Sequence, residues 1–392
     1  MRSKWKQLPY ASLRRERKIN MQLSSPDSET IRTAITTRSQ NFLDVIVPFD
    51  ELGCEINEDN SEVNFKYNLG IAQFSTHAFG QLLTRVQLSI HYWKRLYNWN
   101  ARQLMIDNFN FCNEATANEI SNQKRNNDPN YLFRLNPSVT LDPTENDDND
   151  DDEDEYDDEE PSINTPVRAV LSSSYSVFDD DELFPMLMDQ LDEDENVSYV
   201  LYEYDNHITR LHIRYKDTQI THEGLAYSAG MVVTNSEVGS SSIWIEPVVY
   251  RGDTVYANRS SLTQQDVEIK IVHRGDIDRE RVNSMFITCA EISQVGIVQL
   301  VEAFQTKINP NHALSLMRNI PEFPNRMSQI LFEDWEHEED LKHADVAHAI
   351  LEMAQELPLF QRAKVEQAAG RIVGLFNNYS SRMTQIIEDI DD

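Results

Sequence analysis

The spacing of apolar and polar positions changes period along this chain, and the changes mark its elements. Across Ser75–Trp99, Phe79, Leu82, Leu83, Val86, Ile90, Trp93 and Tyr97 recur at helical spacing and form one apolar stripe. This predicts a single amphipathic helix capped by Ser75 or Thr76, followed by a second helix over roughly Ala101–Ile120. From Val197 to Tyr215 the period drops to two. β-Branched and aromatic residues alternate with polar ones on either side of Asp205-Asn206, which predicts a β-hairpin. Gly230–Arg259 continues as strands broken by Gly and Ser. Shorter strands are expected at Val45–Val47, ended by Pro48, and at Tyr131–Leu135. After Asp278 the spacing is helical again, in amphipathic segments divided at Asn309-Pro310, at Pro321 and Pro324, and at Pro358. The order predicts an α+β class: an antiparallel β-sheet core with an N-terminal helical segment and a C-terminal helical bundle.

Charge divides the chain more sharply than hydropathy does. The 392 residues carry a formal net charge of −31. Fourteen carboxylates and no Lys or Arg lie in Asp142–Glu160, and nine more carboxylates without a base lie in Asp179–Glu195. Without these two runs the net charge is −8, so an ordinary body carries an acidic insertion. Like charges at this density repel and stay solvated, which marks 142–161 as a disordered insertion. The opening MRSKWKQLPYASLRRERKIN is basic and lacks the apolar stretch of a signal peptide. It is expected to be a disordered arm over 1–21, or an extension upstream of a start at Met21. The core domain is then expected over 22–275 and a helical region over 278–392. No run of about 18 apolar residues is evident, so no membrane span is expected. Cys54, Cys112 and Cys289 have no CxxC spacing, which fits a reduced cytoplasmic setting better than a disulfide framework.

The stretch VRAVLSSSYSVFDDDELF, Val167–Phe184, predicts a strand, a Ser-rich turn at Ser172–Ser174 and an acidic helix start at Asp179–Asp181. It resembles the RAvLSdrYs signature of the phage and plasmid-like proteins grouped as domain of unknown function 932. VVTNSEVGSSSIWIEPVVYR, Val232–Arg251, resembles that family's second block, and SIHYWKRL, Ser89–Leu96, is weakly similar to a third. The motif positions that carry the resemblance are Arg168, Ser172, Tyr175, Asp179, Asn235, Ser236, Glu237, Gly239, Arg251 and Asn258. The family continues with Cys-Thr-Asn-Gly where this chain has Tyr256-Ala257-Asn258-Arg259, so only the Asn is kept. The resemblance implies a mobile-element protein, in the cytoplasm of a bacterial host, and implies no chemistry.

Two roles are open to the motif positions: holding the fold, or lining an edge that meets a ligand. HYWKRLYNWNAR, His91–Arg102, interleaves bases with aromatics, a pattern suited to a single nucleic-acid strand. Trp93 and Tyr97 fall on the apolar stripe and are expected in the core, leaving Lys94, Arg95 and Arg102 outside. The nucleic-acid candidates are therefore Lys94, Arg95, Arg168 and Arg251 along the backbone, with an exposed Tyr175 to stack. His337, His343 and His348 are spaced by six and five, which does not put three imidazoles on one helix face, so no metal site is expected. The chain has no G-x-x-x-x-G-K-[ST], GxSxG, GxGxxG or HExxH motif, and no cofactor or catalytic residue is assigned. The expected function is a non-enzymatic nucleic-acid accessory protein, acting like a single-strand annealing protein and forming a homo-oligomer. The alternatives are an inhibitor whose Asp142–Glu160 tract meets a basic host protein, and a structural or assembly protein. Overall acidity counts against the first, because nucleic-acid binders carry a basic footprint.

Overall fold

The structure is a computed structural model that describes residues 21–39, 42–56, 63–68, 70–122, 130–135, 166–222 and 224–377. Residues 1–20 of the basic arm and the acidic tract Asp142–Glu160 lie outside the described residues, whereas Met21, expected to end the arm, is the first residue of a strand. Among the described residues the first elements are β1 (Met21–Ser24) and α1 (Ser28–Ser39). Strands β2 (Leu43–Pro48), β3 (Gly53–Ile56), β4 (Val63–Tyr67) and β5 (Gly70–Phe74) precede helices α2 (Thr76–Arg85), α3 (Ile90–Asn98) and α4 (Arg102–Asn122). Then come β6 (Asn130–Leu135), β7 (Pro166–Ser172), α5 (Asp180–Leu191), β8 (Val197–Tyr204) and β9 (Thr209–Tyr215). Strands β10 (Ile220–His222), β11 (Leu225–Asn235), β12 (Ile243–Arg251) and β13 (Thr254–Ala257) are followed by α6 (Arg259–Thr263) and β14 (Lys270–Ile271). Five helices follow among the described residues: α7 (Arg279–Ala303), α8 (Pro310–Arg318), α9 (Asn325–Trp335), α10 (His343–Ala354) and α11 (Leu359–Ile372). The class is α+β, as the segregated periods indicate.

The backbone packs into two compact units, one of Thr36–Ser176 and one that joins the described part of Lys18–Ile35 to Val177–Asp392. The first contains a six-stranded sheet in the order β2-β6-β7-β5-β4-β3, antiparallel except for the β5–β7 pair. Phe65, Phe74, Phe79, Trp93, Phe109 and Phe133 form its aromatic core, with Phe65 edge-on to Phe74 at 5.4 Å and to Phe109 at 5.0 Å. Trp93 is 3% exposed, as its place on the stripe requires. The stripe does not lie on one continuous helix. Gln87 takes φ +57, and the chain turns there between α2 and α3. Ser75 does cap α2, its Oγ accepting from the Ala78 N–H at 3.0 Å.

The second unit is built on an eight-stranded antiparallel sheet whose main path is β1-β8-β9-β11-β12-β13. Side chains alternate between its two faces, with a bulge between Tyr199 and Leu201 of β8 that shifts the phase. Leu211, Ile213, Met231, Val233, Ile243 and Ile245 belong to the main apolar core, together with residues of α5 and α7. The one described helix long and apolar enough to cross a bilayer by length and composition is α7, and 56% of that apolar window is buried. It packs against β11 and β12, where the Cys289 thiol donates to the Ile245 carbonyl at 3.1 Å. The opposite face carries Arg210, His212, Thr234 and Glu246, all buried. Helix α11 lies there. A Cβ on Gly370 would stand 2.1 Å from the Ala257 carbonyl oxygen, so the α11 backbone comes closer to β13 than any side chain permits.

Candidate functional site

The predicted corner is present. In the first unit, β7 ends at Ser172, and the Tyr175 N–H closes the turn onto the Ser172 carbonyl at 2.8 Å. Tyr175 is partly buried, so it does not present the exposed ring expected of it. The Arg168 guanidinium lies 3.8 Å over the Phe42 ring.

In the second unit, Asp179 has the extended backbone of an N-cap ahead of α5. The NSEVG segment holds that helix start. The Asn235 amide donates to Asp180 Oδ1 at 2.8 Å and to the Phe178 carbonyl at 3.1 Å, while Glu237 Oε1 accepts from the Asp180 N–H at 3.2 Å. Asn235, Glu237 and Asp180 are at most 2% exposed. Ser236 donates to the His207 carbonyl at 2.6 Å, and Gly239 supplies φ +69 for the turn that follows. Asn258 caps α6, accepting from the Ser261 N–H, and donates to the Leu375 carbonyl at 2.7 Å. Arg251 stacks 4.8 Å from the Phe304 ring and neighbours Tyr256, whose hydroxyl meets His348 Nδ1 at 3.3 Å. Asn235, Ser236, Glu237 and Asn258 are thus engaged within their own unit, in contacts that position helices.

Of the cations assigned to nucleic acid, only Lys94 and Arg95 share an element. They lie on α3, and among the described residues neither has an ion-pair partner. Arg102 bonds back to the Tyr97 carbonyl at 2.8 Å and stacks on the Tyr97 ring at 4.0 Å, so it braces the α3–α4 corner. The aromatics beside these bases are not the predicted ones. Tyr92 and Trp99 are 39% and 70% exposed and stand at i and i+7, with exposed Arg95 between them at i+3. Asn108 of α4 donates to the Tyr92 hydroxyl at 3.1 Å, and on its helix it falls between Leu104, 46% exposed, and Phe111, 71% exposed. Exposed rings, one apolar chain and the base Arg95 therefore lie on α3 and α4, with Lys94, partly buried, turned toward another side of α3. The signal was in the sequence: Trp99 and Phe111 fall off the helical stripes that bury their neighbours.

The second feature is a buried ionic layer between the sheet and α11. Glu203 Oε1 lies 3.2 Å from Arg210 Nη1 and 3.1 Å from His212 Nε2, while its Oε2 pairs with Arg362 of α11. Arg210 reaches across to both oxygens of Glu366, also on α11. Beside them Glu246 accepts from Gln367 at 2.6 Å and lies 2.9 Å from Arg259, whose guanidinium stacks 4.4 Å over Trp244. Burial acts to raise the Glu203 carboxyl, but His212, Arg210 and Arg362 together bring it down to about 2. Burial, and then Arg210, hold His212 below the ordinary histidine range despite the neighbouring carboxylates. His212 Nδ1, Arg210 Nε and Thr234 Oγ1 are buried without a hydrogen-bond partner.

No family model, no curated protein and no solved structure matches the chain.

Proposed function

We propose that this chain is a non-enzymatic accessory protein of a mobile element that binds single-stranded nucleic acid on the α3–α4 surface. The observation that carries the reading is the exposure of Trp99, 70%, on α3's end beside Arg95, and of Phe111, 71%, on α4. Folding leaves rings of this size in water at a cost in hydrophobic free energy, and a base stacked on them recovers it. Lys94 and Arg95 supply the phosphate contacts, and the separation of stacking groups from cations suits a strand whose bases are unpaired. The resemblance to the family of unknown function 932 supports the mobile-element setting and, with it, a bacterial cytoplasm. Annealing and self-assembly extend the same reading. The carboxylates of α4, Asp107 and Glu114 among them, flank the surface and would weaken phosphate binding.

Fluorescence anisotropy of a labelled single-stranded oligonucleotide at low and moderate salt tests it, on the full chain and on a chain lacking Asp142–Glu160. Binding that weakens with salt, and that the deletion leaves intact or strengthens, is the expected result. Absence of binding by both proteins at low salt would reject it.

A further inference from the structure

We propose that the ionic layer beneath α11 is a proton-sensitive latch: protonation of His212 loosens α11 from the sheet. The argument begins with the imidazole's two nitrogens. Nε2 lies 3.1 Å from Glu203 Oε1. A carboxylate only accepts, so this contact assigns the hydrogen to Nε2 and leaves Nδ1 as a bare lone pair. Nδ1 is buried with no partner. The residues registered opposite His212 are Leu201 and Val232, whose side chains offer no acceptor. A second proton must therefore become a buried N–H donor with nothing to receive it, which costs its full desolvation.

Charge adds to that cost. The groups facing this layer are Glu203 from β8, Arg210 from β9, Glu246 from β12, Arg259 from α6, and Arg362 and Glu366 from α11. Strand β11 contributes Val232 and Thr234, which are uncharged. Three carboxylates thus balance three guanidiniums among these groups, Arg214 on the same face of β9 is balanced by Asp253, and a neutral His212 leaves the layer uncharged. A protonated His212 makes it a net cation in a low-dielectric layer.

The strain has one exit. His212 and Arg362 sit on the two oxygens of the same carboxylate, Glu203. Glu203, Arg210 and His212 are fixed on paired strands, whereas Arg362 and Glu366 belong to a helix bounded by Pro358 and by Gly374 at φ +69. Withdrawal of the Arg362 side chain alone restores balance, and it unties the first turn of α11 from Glu203 while Glu366 stays on Arg210. The apolar side of α11, with Val365 and Ala368 packed among Val346, Ile350 and Ala354 of α10, has no part in the titration. The depressed basicity of His212 places the event below the ordinary histidine range.

Hydrogen exchange of the full chain at about pH 7.5 and about pH 5.5, corrected for intrinsic rates, tests the latch. Protection of Leu359–Ile372 is expected to fall at least about tenfold at the lower pH while β9 and β11 keep theirs. His212→Gln keeps an amide donor toward Glu203 and cannot gain a proton, so its α11 protection should not change with pH. Unchanged α11 protection in the natural chain, or an equal acid loss in His212→Gln, would overturn the proposal. Should the variant fail to fold, an NMR titration of the His212 ring in the natural chain decides. Its midpoint must coincide with the loss of α11 protection, and a separation of more than about one pH unit would also overturn it.

Discussion

Asn258 and Glu203 show two ways a polar side chain becomes indispensable when buried. Asn258 satisfies the first turn of α6 and ties it to the Leu375 carbonyl. Asn258→Ala removes both bonds, and a loss of about 1–2 kcal/mol is expected in chemical denaturation. Glu203 instead answers two guanidiniums, Arg210 and Arg362, and the imidazole of His212. Its native carboxyl titrates near 2, below the unfolded value of 4.5, so the folded state binds fewer protons over that interval. Stability from this group is complete above about pH 4.5 and is lost as pH falls toward 2. His212 has the same sign at a higher pH, because its protonation is depressed in the fold while the unfolded imidazole still takes a proton. Urea midpoints measured from neutral to acidic pH should therefore decline first below the unfolded histidine range and again below the carboxylate range, and His212→Gln should reduce only the first decline, to which partly buried His348 also contributes. Removing one member of the layer is harsher. Arg210→Ala leaves Glu366 buried without its principal partner and should cost about 3–5 kcal/mol.

At the scale of elements, the seat of α11 on β13 depends on Gly370, whose hypothetical Cβ meets the Ala257 carbonyl oxygen at 2.1 Å. Gly370→Ala should lower stability by about 1–3 kcal/mol despite alanine's better helix propensity, and a thermal melt measures it. Much of the element order was legible. The hairpin at Asp205-Asn206, the Ser75 cap, the Asn309-Pro310 break and the strand-turn-helix corner at Val167–Phe184 all follow from local chemistry. The turn at Gln87 was not, because no Gly or Pro marks it and the apolar stripe runs through it unbroken. The ionic layer was hidden for a related reason. Polar residues at every second position of β9, namely Arg210, His212 and Arg214, describe a solvent face in most antiparallel sheets, and only the return of α11 from more than a hundred residues later makes that face interior. Arg168 was legible as a motif position but not as Phe42's partner, since neither spacing nor composition pairs residues so far apart.

Across the whole molecule, acidity and the proposed ligand stand opposed. A net charge of −31 repels nucleic acid at long range, and screening by salt removes that repulsion before it removes close contacts. The chain lacking Asp142–Glu160 should therefore bind a single strand more tightly at low salt, with the difference narrowing as salt rises. Arg95→Ala should flatten the salt dependence of binding by about 0.7 in log–log slope, one phosphate contact's share for a single strand. Lys94, turned away from Arg95 on α3, should change the slope less. The distinguishing property of the α3–α4 surface is its rings, since scattered cations alone are common on protein surfaces.

The most direct measurement is the affinity of Trp99→Ala for a single-stranded oligonucleotide, compared with the natural chain under identical salt. Trp99 is 70% exposed, so its removal should leave the melting temperature unchanged. A loss of about 1–3 kcal/mol in binding, roughly five- to 150-fold, is predicted if a base stacks on this ring. Equal affinity of the two proteins would contradict the assignment of the α3–α4 surface as the nucleic-acid site.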